Sequence, residues 1–393
     1  MMATGDTGLI GLAEHVREAL SPGVLPEVFA SFGQAVTAVW CDRLVDTDNG
    51  FVIDLVTGSG EPSARFIAQF LPGNITDQAT IVAASLRKRR RGQLGTDEEG
   101  VWAVPELSMV LRRSGLDERL QGLDLLAHPE RAAGPLGTHV GDHTSVELLA
   151  HRLGKRAVLR VRGSEGSVVV KLGKQRSDLP AIVSTLGEGF RTSSRQVTPH
   201  HLGYLPDRNA TVWEDLGRHD GSQWGPLPVD PSDAAAAVKR FQRMAPVPGI
   251  ERHGPDAESR IVWRHIELVG RIRPDLAIAV ASIGGTLIDR LARLPAAPSV
   301  LVHRDLHPGQ LVAHDGGLFI LDLDTCSIGD PAIDVGNLAA HLRARGDDSA
   351  AAALEGAFRT IDRAALATWR DTASFRLRCQ QVLVDHSLGM EPG

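Results

Sequence analysis

The feature that most constrains the fold is a polar loop followed closely by a short apolar strand, between residues 302 and 324. The loop, residues 302–310, reads Val-His-Arg-Asp-Leu-His-Pro-Gly-Gln, and the apolar run 318–321 ends on Asp322. A carboxylate at Asp305, an amide at Gln310 and a second carboxylate at Asp322 therefore follow one another within a short segment. A loop and strand so arranged are expected to bring the three groups into one site.

These residue types and spacings suit phosphoryl transfer, which depends on positioning and on neutralising charge. In the pattern H-R-D-L-x-x-x-N, the Asp accepts the proton of the attacking hydroxyl and the residue five positions later binds Mg²⁺. Asp305 and Gln310 occupy those two places, and Asp322 lies where a strand-end aspartate reaches the metal. Glutamine keeps the amide oxygen of asparagine and adds a methylene. The alternative is a hydrogen-bonded turn whose resemblance to a catalytic loop is accidental.

Three patterns together carry a resemblance to a known family. They are H-x-D-x-H-P-G-[NQ] from His303, I-L-D-x-[DE] around Asp322, and G-D-P-A-x-D from Gly329 to Asp334. The chain resembles the aminoglycoside phosphotransferase and choline kinase family of small-molecule kinases. It is less similar to protein kinases, because His307 replaces their usual Lys and no A-P-E signature follows.

The resemblance implies an α+β, two-lobed protein-kinase-like fold, with an antiparallel β N-lobe and a mostly α-helical C-lobe. It implies ATP or GTP and Mg²⁺ as cofactors, and a hydroxyl acceptor. It assigns catalysis to Asp305 and the metal to Gln310 and Asp322. Other residues would support the loops: His303, Arg304, Asp324, Asp330 and Asp334. Asp324 is equally well read as a ligand of a second metal ion.

A phosphate-binding lysine and a hairpin over the nucleotide are expected upstream. Residues 153–162 and 167–172 are strand-like and flank the turn Gly-Ser-Glu-Gly at 163–166, which places Lys171 on a β-strand. An ordinary edge-strand lysine is the alternative. Glu188 is the default ion-pair partner, and Gly154 is a weaker candidate for the loop over the phosphates.

Residues 210–217 form an apolar strand that ends in acidic residues and glycine, and they resemble the hinge between kinase lobes. Glu214 and Leu216 would read the adenine edge there. A strand end with a turn explains the same residues. Beyond the hinge, Ser232 is expected to cap a helix over 233–244, and spacings of three and four predict helices over 258–272 and 287–294. Further helices are expected over 333–345, 350–361 and 364–387.

A kinase of this type needs only part of the 393 residues. We therefore expect an N-terminal extension over 1–130, a kinase N-lobe over 131–216 and a helical C-lobe over 217–393. Strand-like runs at 35–40, 50–56 and 65–70, followed by a helix over 76–91, echo the hairpin around Lys171, with Gln69 in the lysine's place. The extension is thus read as a degenerate copy of the nucleotide lobe or as an unrelated α+β cap.

Composition narrows the class of protein. The net charge is −6, and the basic run 87–91 is a single short cluster, so a solvated helix end is favoured over nucleic-acid binding. No stretch is apolar over about 18 residues, as a membrane span requires, and no signal-like start is recognisable. The three cysteines, Cys41, Cys326 and Cys379, suggest reduced thiols and a cytoplasmic location.

These observations predict an enzyme, a phosphotransferase that moves a γ-phosphoryl group to a hydroxyl of a small polar molecule such as a sugar or aminoglycoside-like compound. A maltokinase-like or other sugar kinase is one alternative, because glutamine at the metal position and an N-terminal cap also occur in that branch. A nucleotide-binding pseudokinase or regulatory scaffold is the alternative from another class. No nucleic acid or membrane partner is expected, and the oligomeric state is open.

Overall fold

The computed structural model describes residues 6–34, 36, 38–58, 64–89, 100–173, 197–217, 230–244, 249–314 and 317–385. Two five-stranded antiparallel sheets lie in the first half of the described chain, and most of the second half is helical. The predicted fold class, an antiparallel β lobe joined to a mostly helical lobe with an N-terminal α+β extension, is confirmed.

The first sheet has the strand order β1-β2-β3-β5-β4. Its strands are β1 (Ala38–Thr47), β2 (Gly50–Gly58), β3 (Ala64–Phe70), β4 (Val101–Val104) and β5 (Met109–Arg113). Three helices accompany it, α1 (Asp6–Ala19), α2 (Val24–Ser31) and α3 (Ile75–Arg89). The predicted strands at 50–56 and 65–70 are present, and the predicted helix over 76–91 is present as far as Arg89, beyond which the prediction lies outside the described residues. β1 begins later than predicted and extends to Thr47, with a register shift between Cys41 and Arg43.

The second sheet has the strand order β6-β7-β8-β10-β9. Its strands are β6 (Ser145–Arg152), β7 (Arg156–Arg162), β8 (Ser167–Gly173), β9 (His201–Leu205) and β10 (Ala210–Glu214). A short helix, α4 (Ala133–Val140), precedes it. The hairpin predicted around residues 163–166 joins β7 to β8, and Lys171 lies on β8.

The two sheets share more than their strand order. In each, a one-turn 3₁₀ helix starting with proline, Pro105–Leu107 or Pro206–Arg208, connects the last two strands. It ends on a residue in the left-handed conformation, Ser108 at φ 49° or Asn209 at φ 48°. Gln69 and Lys171, which the sequence predicts to be equivalent, also have equivalent pairing partners. The second residue of the following strand lies opposite each of them, Val110 opposite Gln69 and Thr211 opposite Lys171.

The helical part follows the predicted apolar spacings. It contains α5 (Pro231–Gln242), α6 (Pro255–Ile272), α7 (Ala277–Ala292), α8 (Ala332–Ala344), α9 (Asp348–Ala357) and α10 (Arg363–Asp385). The predicted cap of α5 was wrong. Asp230, not Ser232, is the N-cap, and its carboxylate accepts the Ser232 backbone N–H. The helix starts earlier because Pro231 suits the first helical position, where no N–H is needed.

The apolar side chains form cores that tie these parts together. The first sheet packs on the helical lobe, because Phe51 and Phe70 share one core with Val262 of α6 and Phe375 of α10. A second core joins β8 and β10 to α5, α8 and the start of α10. The segment from Leu120 to Val140 packs against the second sheet. The extension is therefore held on the helical lobe by burial of apolar surface, and only a small cluster of Ile75, Ala79 and Val110 is separate from the shared core.

Candidate active site

A short hairpin brings Gln310 and Asp322 to the same place. β12 (Leu311–His314) and β13 (Gly317–Ile320) are antiparallel, with Leu311 opposite Ile320. Just beyond this pair, the Leu321 N–H donates to the Gln310 carbonyl at 2.9 Å. Gln310 thus precedes one strand and Asp322 follows the other, at the open end of the hairpin.

A second pair of short strands returns the chain to the catalytic loop. β11 (Val300–Val302) pairs with β14 (Ser327–Gly329), so residues 303–310 run beside residues 321–326. The Nε2 atom of the buried His303 lies 2.7 Å from the Leu321 carbonyl, and the Thr325 hydroxyl donates to the His303 carbonyl at 2.7 Å. These bonds fix the loop with Asp305 against the segment with Asp322.

Hydrogen bonds with Asp334 and Asn337 hold the backbone of the catalytic loop. The carboxylate of the fully buried Asp334 accepts the backbone N–H groups of His303 and Arg304, each at 2.9 Å. The Asn337 side-chain amide donates to the Arg304 carbonyl. Arg304 has a left-handed φ of 72°, and so does Asp322 at 60°. Such strained backbone persists where the surroundings over-determine it, which is common at functional sites.

Asp330 supports the helices behind the loop. Its Oδ1 accepts the Ala332 N–H at 2.8 Å, and its Oδ2 accepts the indole N–H of Trp369 at 3.1 Å. Trp369 is buried and belongs to the core that contains α8. This contact links the start of α8 to α10.

Asp305 differs from the other carboxylates of the site. It is half-buried, and no hydrogen bond or ion pair to its side chain is found within the part of the chain that the structure describes. Its neighbour Leu306 is fully buried, which anchors the loop and leaves the carboxylate available. A positioned, unpaired carboxylate is what a general base requires.

Asp322 lies in a cluster of charges between the hairpin and the second sheet. Lys171 Nζ is 2.9 Å from its Oδ1 and 3.3 Å from Asp324 Oδ1. The Arg156 guanidinium contacts both oxygens of Asp322, at 3.1 Å each, and Asp324 Oδ2 at 3.0 Å. Lys171 therefore meets the metal-site acids predicted from the loop, 151 residues away in sequence.

The charges of this cluster keep Asp322 ionised. Burial alone would raise the pKa of Asp322, but Lys171 and then Arg156 lower it far below its usual range. Burial likewise opposes the charge of Lys171, yet Asp322 and Asp324 raise its pKa above the usual value. Asp322 thus presents a carboxylate, not a carboxylic acid, which a hard cation prefers as a ligand.

Gln310 provides the test of whether a metal ion fits. Its side chain is 5% exposed, and its Oε1 atom has no hydrogen-bond partner among the described residues. An unpaired buried amide oxygen is costly unless something binds it. An oxygen-ligated cation such as Mg²⁺ fits this amide oxygen and the carboxylate of Asp322. Gln310 and Asp322 would supply two of its ligands, and phosphate oxygens and water would supply the others.

Arg156 was not predicted, although the strand pairing points to it. Val158 lies opposite Lys171, and Arg156 is two residues before Val158 on β7. Directly paired residues project from the same face of a sheet, as do residues two apart on one strand. Arg156 and Lys171 therefore share the face towards Asp322. Register was the missing signal, and one sequence does not reveal it.

Buried hydrogen bonds of Asp117 and His151 hold the turn before Arg156. The Asp117 Oδ2 atom accepts the Gly154 N–H at 2.5 Å and lies 3.1 Å from His151 Nε2. The Gly115 N–H lies 3.0 Å from His151 Nδ1, so Nδ1 accepts and Nε2 donates. Burial alone would raise the pKa of Asp117, but these hydrogen bonds lower it. Because the Gly154 N–H is already used, Gly154 shapes the turn with its φ of 65°.

Three further residues were predicted for the nucleotide site, Glu188, Glu214 and Leu216. Glu188 lies outside the described residues. Glu214 ends β10 and its carboxylate accepts the His200 N–H at 3.1 Å, while Leu216 is buried. Asp215 lies between them and forms an ion pair with Arg160 at 2.9 Å. This segment begins at the end of β10, and its role as a hinge stays a prediction.

A cavity of ≈ 630 Å³ lies elsewhere, between the linker after the first sheet and the β9–β10 turn. Leu120, Leu123 and Arg208 line it, and none of the catalytic side chains does. We locate the chemistry at the charged cluster, because the cavity lacks the base and metal groups. None of the described helices is long and apolar enough to cross a membrane.

Comparison with protein families relates part of the chain to a family of phosphotransferases. The sequence profile of the phosphotransferase enzyme family, APH, matches residues 192–369. These residues include the catalytic loop, the hairpin and the segment with Asp330 and Asp334. No curated protein matches the chain significantly.

Several solved structures are similar. A choline/ethanolamine kinase family protein from Mesorhizobium loti is 16% identical with a TM-score of 0.45, over 65% of this chain and 93% of that one. An aminoglycoside phosphotransferase from Streptomyces rimosus is 19% identical with a TM-score of 0.43, over 64% and 96%. A macrolide 2'-phosphotransferase from Brachybacterium faecium is 17% identical with a TM-score of 0.43, over 69% and 100%.

Proposed function

We propose that the protein transfers the γ-phosphoryl group of ATP or GTP to a hydroxyl group of a small polar molecule, as the match of residues 192–369 to the profile of the phosphotransferase enzyme family suggests. The proposal rests on four groups that lie in one region of the structure. They are the carboxylate of Asp305 and the amide oxygen of Gln310, both without a hydrogen-bond partner among the described residues, the ionised Asp322, and Lys171, a cation suited to phosphate. Each has one part in the reaction.

Asp305 orients the acceptor hydroxyl and takes its proton. As the acceptor oxygen bonds to the γ-phosphorus, the bond from that phosphorus to the bridging oxygen of the diphosphate breaks, and the nucleoside diphosphate leaves. Asp305 contributes in the transition state, where the hydroxyl proton becomes acidic. Its position on a loop anchored by His303 and Asp334 keeps the carboxylate in place.

Lys171 and Arg156 hold the phosphate oxygens. Both cations form ion pairs with Asp322 and Asp324. Gln310 and Asp322 would hold Mg²⁺, which supplies charge neutralisation to the phosphates when bound. With a divalent cation held at Asp322, Lys171 and Arg156 would be available to pair with the triphosphate. Glu188 as the partner of Lys171, and Glu214 and Leu216 as the adenine-reading backbone, remain part of this proposal.

For the acceptor we propose a sugar or aminoglycoside-like compound. A maltokinase-like sugar kinase fits the same catalytic groups. The unpaired Asp305 supports an active enzyme over a pseudokinase scaffold, because a scaffold has no use for a positioned base. The three cysteines are free, which supports a reducing, cytoplasmic location.

We also propose a three-part division of the chain, into an N-terminal cap over 1–130, a nucleotide lobe over 131–216 and a catalytic lobe over 217–393. The repeated strand order, the repeated 3₁₀ turn and the matching positions of Gln69 and Lys171 support the cap as a degenerate copy of the nucleotide lobe. This copy has the uncharged Gln69 in place of the lysine, and the Gln69 side chain is already paired, because it accepts a hydrogen bond from the buried Arg112 at 2.7 Å.

The test is nucleotide consumption over a panel of sugars, aminoglycosides and macrolides, with ATP or GTP and Mg²⁺, for the wild-type protein and Asp305→Asn. We expect turnover with at least one acceptor and a loss of about 10²–10⁴-fold in kcat for the variant, the range of general-base catalysis. Nucleotide affinity should stay unchanged, because Asp305 touches the acceptor. Equal turnover by the wild type and Asp305→Asn would refute the assignment of the base.

A further inference from the structure

One face of α8 contacts the catalytic loop at three successive places. Asp334 accepts the N–H groups at the start of the loop, and Asn337 donates to the Arg304 carbonyl. His341 lies one turn further along α8, and its ring packs against the ring of His307, with the two centroids 5.2 Å apart. Residues spaced by three and four lie on the same face of a helix. His341 is therefore directed towards the catalytic loop, as Asp334 and Asn337 are.

His307 lies on the same side of the loop as Asp305. The backbone at His307 is extended, with φ −142° and ψ 166°, and successive side chains of an extended segment alternate between its two sides. Leu306, between the two residues, is fully buried in the core that contains α8. Asp305 and His307 are both half-buried and therefore project away from that core. The contacting rings of His307 and His341 thus lie beside the proposed base.

Both rings have ring nitrogens that are available to a ligand. Neither His307 nor His341 forms a hydrogen bond or ion pair within the part of the chain that the structure describes, and both side chains are partly exposed. His303 of the same loop differs, because it is fully buried and its Nε2 atom lies 2.7 Å from a backbone carbonyl. A histidine that only supports the loop is thus bonded to it, whereas these two rings leave their polar atoms open.

Positive charge lies on both sides of His341 along α8. Arg376 of α10 donates to the Asn337 side-chain carbonyl at 2.7 Å, one turn before His341, and Arg345 follows the end of the helix one turn after it. Burial, followed by His307 and the two arginines, lowers the pKa of His341 to about 3. At pH 7 the ring is therefore neutral, with one N–H donor and one nitrogen acceptor. A hydroxyl group both donates and accepts, so it matches this ring, whereas an ammonium group cannot use the N–H donor and meets the charge of the arginines.

We propose that His307 and His341 form an acceptor-binding subsite beside Asp305, which takes the hydroxyl groups of an uncharged sugar. The subsite rests on the proposed function and narrows it, because it favours a sugar over an aminoglycoside-like compound. The rings bind hydroxyl groups next to the one that loses its proton to Asp305, and a few placed polar groups of this kind fix the orientation of a small ligand. Both histidines position the acceptor, and neither forms or breaks a bond.

The test measures steady-state kinetics with Mg-ATP over neutral mono- and disaccharides and over aminoglycosides, for the wild type, His341→Leu, His341→Gln and His307→Leu. Leucine removes both ring nitrogens, while glutamine keeps one donor group and one acceptor. His139→Leu is the matched control, because His139 is also a half-buried helical histidine without a hydrogen bond among the described residues, on α4, which packs against the second sheet. Thermal melting checks the fold of each variant, and calorimetry measures its affinity for Mg-ATP.

We expect the wild type to phosphorylate at least one sugar and no aminoglycoside. His341→Leu and His307→Leu should each raise the KM for that sugar about tenfold, as the loss of one or two hydrogen bonds predicts, with the affinity for Mg-ATP unchanged. His341→Gln should restore part of the sugar affinity, and His139→Leu should leave the KM as in the wild type. A purely structural role of the ring pair would instead lower kcat or the melting temperature and leave the KM unchanged.

A folded His341→Leu protein with the wild-type KM would overturn the subsite, and His307→Leu decides in the same way if His341→Leu does not fold. A wild type that binds Mg-ATP but turns over no sugar would also overturn it. A folded wild type that binds no Mg-ATP would instead overturn the proposed function. The failure of the subsite and the failure of the proposed function are therefore distinguishable.

Discussion

Asp334 shows how a single side chain can fix the catalytic loop without touching a ligand. Its carboxylate is fully buried and accepts two consecutive backbone N–H groups, those of His303 and Arg304. A third donor, the Gln242 side-chain amide, lies 3.3 Å from its other oxygen. Burial raises the pKa of Asp334, against the lowering effects of His303 and these donors. The loop with Asp305 thus depends on a carboxylate from α8.

Replacing Asp334 with alanine leaves the two backbone N–H groups buried without an acceptor. We expect the free energy of unfolding to fall by about 2 kcal/mol or more, because each unsatisfied buried donor costs about 1–3 kcal/mol. Urea denaturation followed by circular dichroism measures this. The control is Asp348→Asn, which removes only an exposed ion pair with Arg343 and should change stability by at most about 0.5 kcal/mol. Equal stability of both variants would show that the loop does not depend on Asp334.

At the scale of elements, a buried charge network joins the helices behind the active site. Glu258 lies in the first turn of α6 and is 3% exposed. Its Oε2 is 2.8 Å from His253 Nε2, and its Oε1 is 3.3 Å from Arg376 Nε of α10. Burial alone would raise the pKa of Glu258, but Arg376 and then His253 lower it from 4.5 to about 2. Glu258 therefore stabilises the fold in its charged form.

This lowered pKa predicts a pH-dependent stability. A carboxylate with a depressed folded pKa contributes its full stabilisation above the unfolded pKa, near 4.5, and loses it as the pH falls towards about 2. We expect Glu258→Gln to reduce the free energy of unfolding at pH 7 by an amount on the order of 3 kcal/mol. Between pH 4.5 and 2, the wild type should lose this advantage. Parallel stability curves for the two proteins from pH 7 to pH 3 would contradict the network.

The elements also show what sequence patterns can and cannot predict. The loop 302–310, the strand before Asp322 and the strand with Lys171 follow local patterns, so sequence analysis predicted them. β6 was not predicted, because its residues alternate only between half-buried and exposed and give a weak period-two signal. The start of α5 was misplaced because Asp230 and Pro231 compete with Ser232 for the helix start.

At the scale of the whole molecule, the sequence analysis could not predict which residues far apart in the chain lie next to each other. Arg156 and Asp117 gain their roles from strand register and from hydrogen bonds between distant segments, which local patterns do not encode. The confirmed predictions, the fold class and the family resemblance, rest on short motifs whose chemistry is local. The proposed active site combines both kinds of information, because the base and the metal groups come from one segment and the surrounding cations, Lys171 and Arg156, come from the second sheet.

The central claim is that Asp305, Gln310 and Asp322 converge on one bound triphosphate. The most direct test is a crystal structure of the protein with Mg²⁺ and a non-hydrolysable ATP analogue. We expect Gln310 Oε1 and an Asp322 oxygen to ligate the metal, Lys171 to contact the α and β phosphates, and Asp305 to face the terminal phosphate. A nucleotide bound elsewhere, with Lys171 and Arg156 still paired to Asp322, would contradict the account.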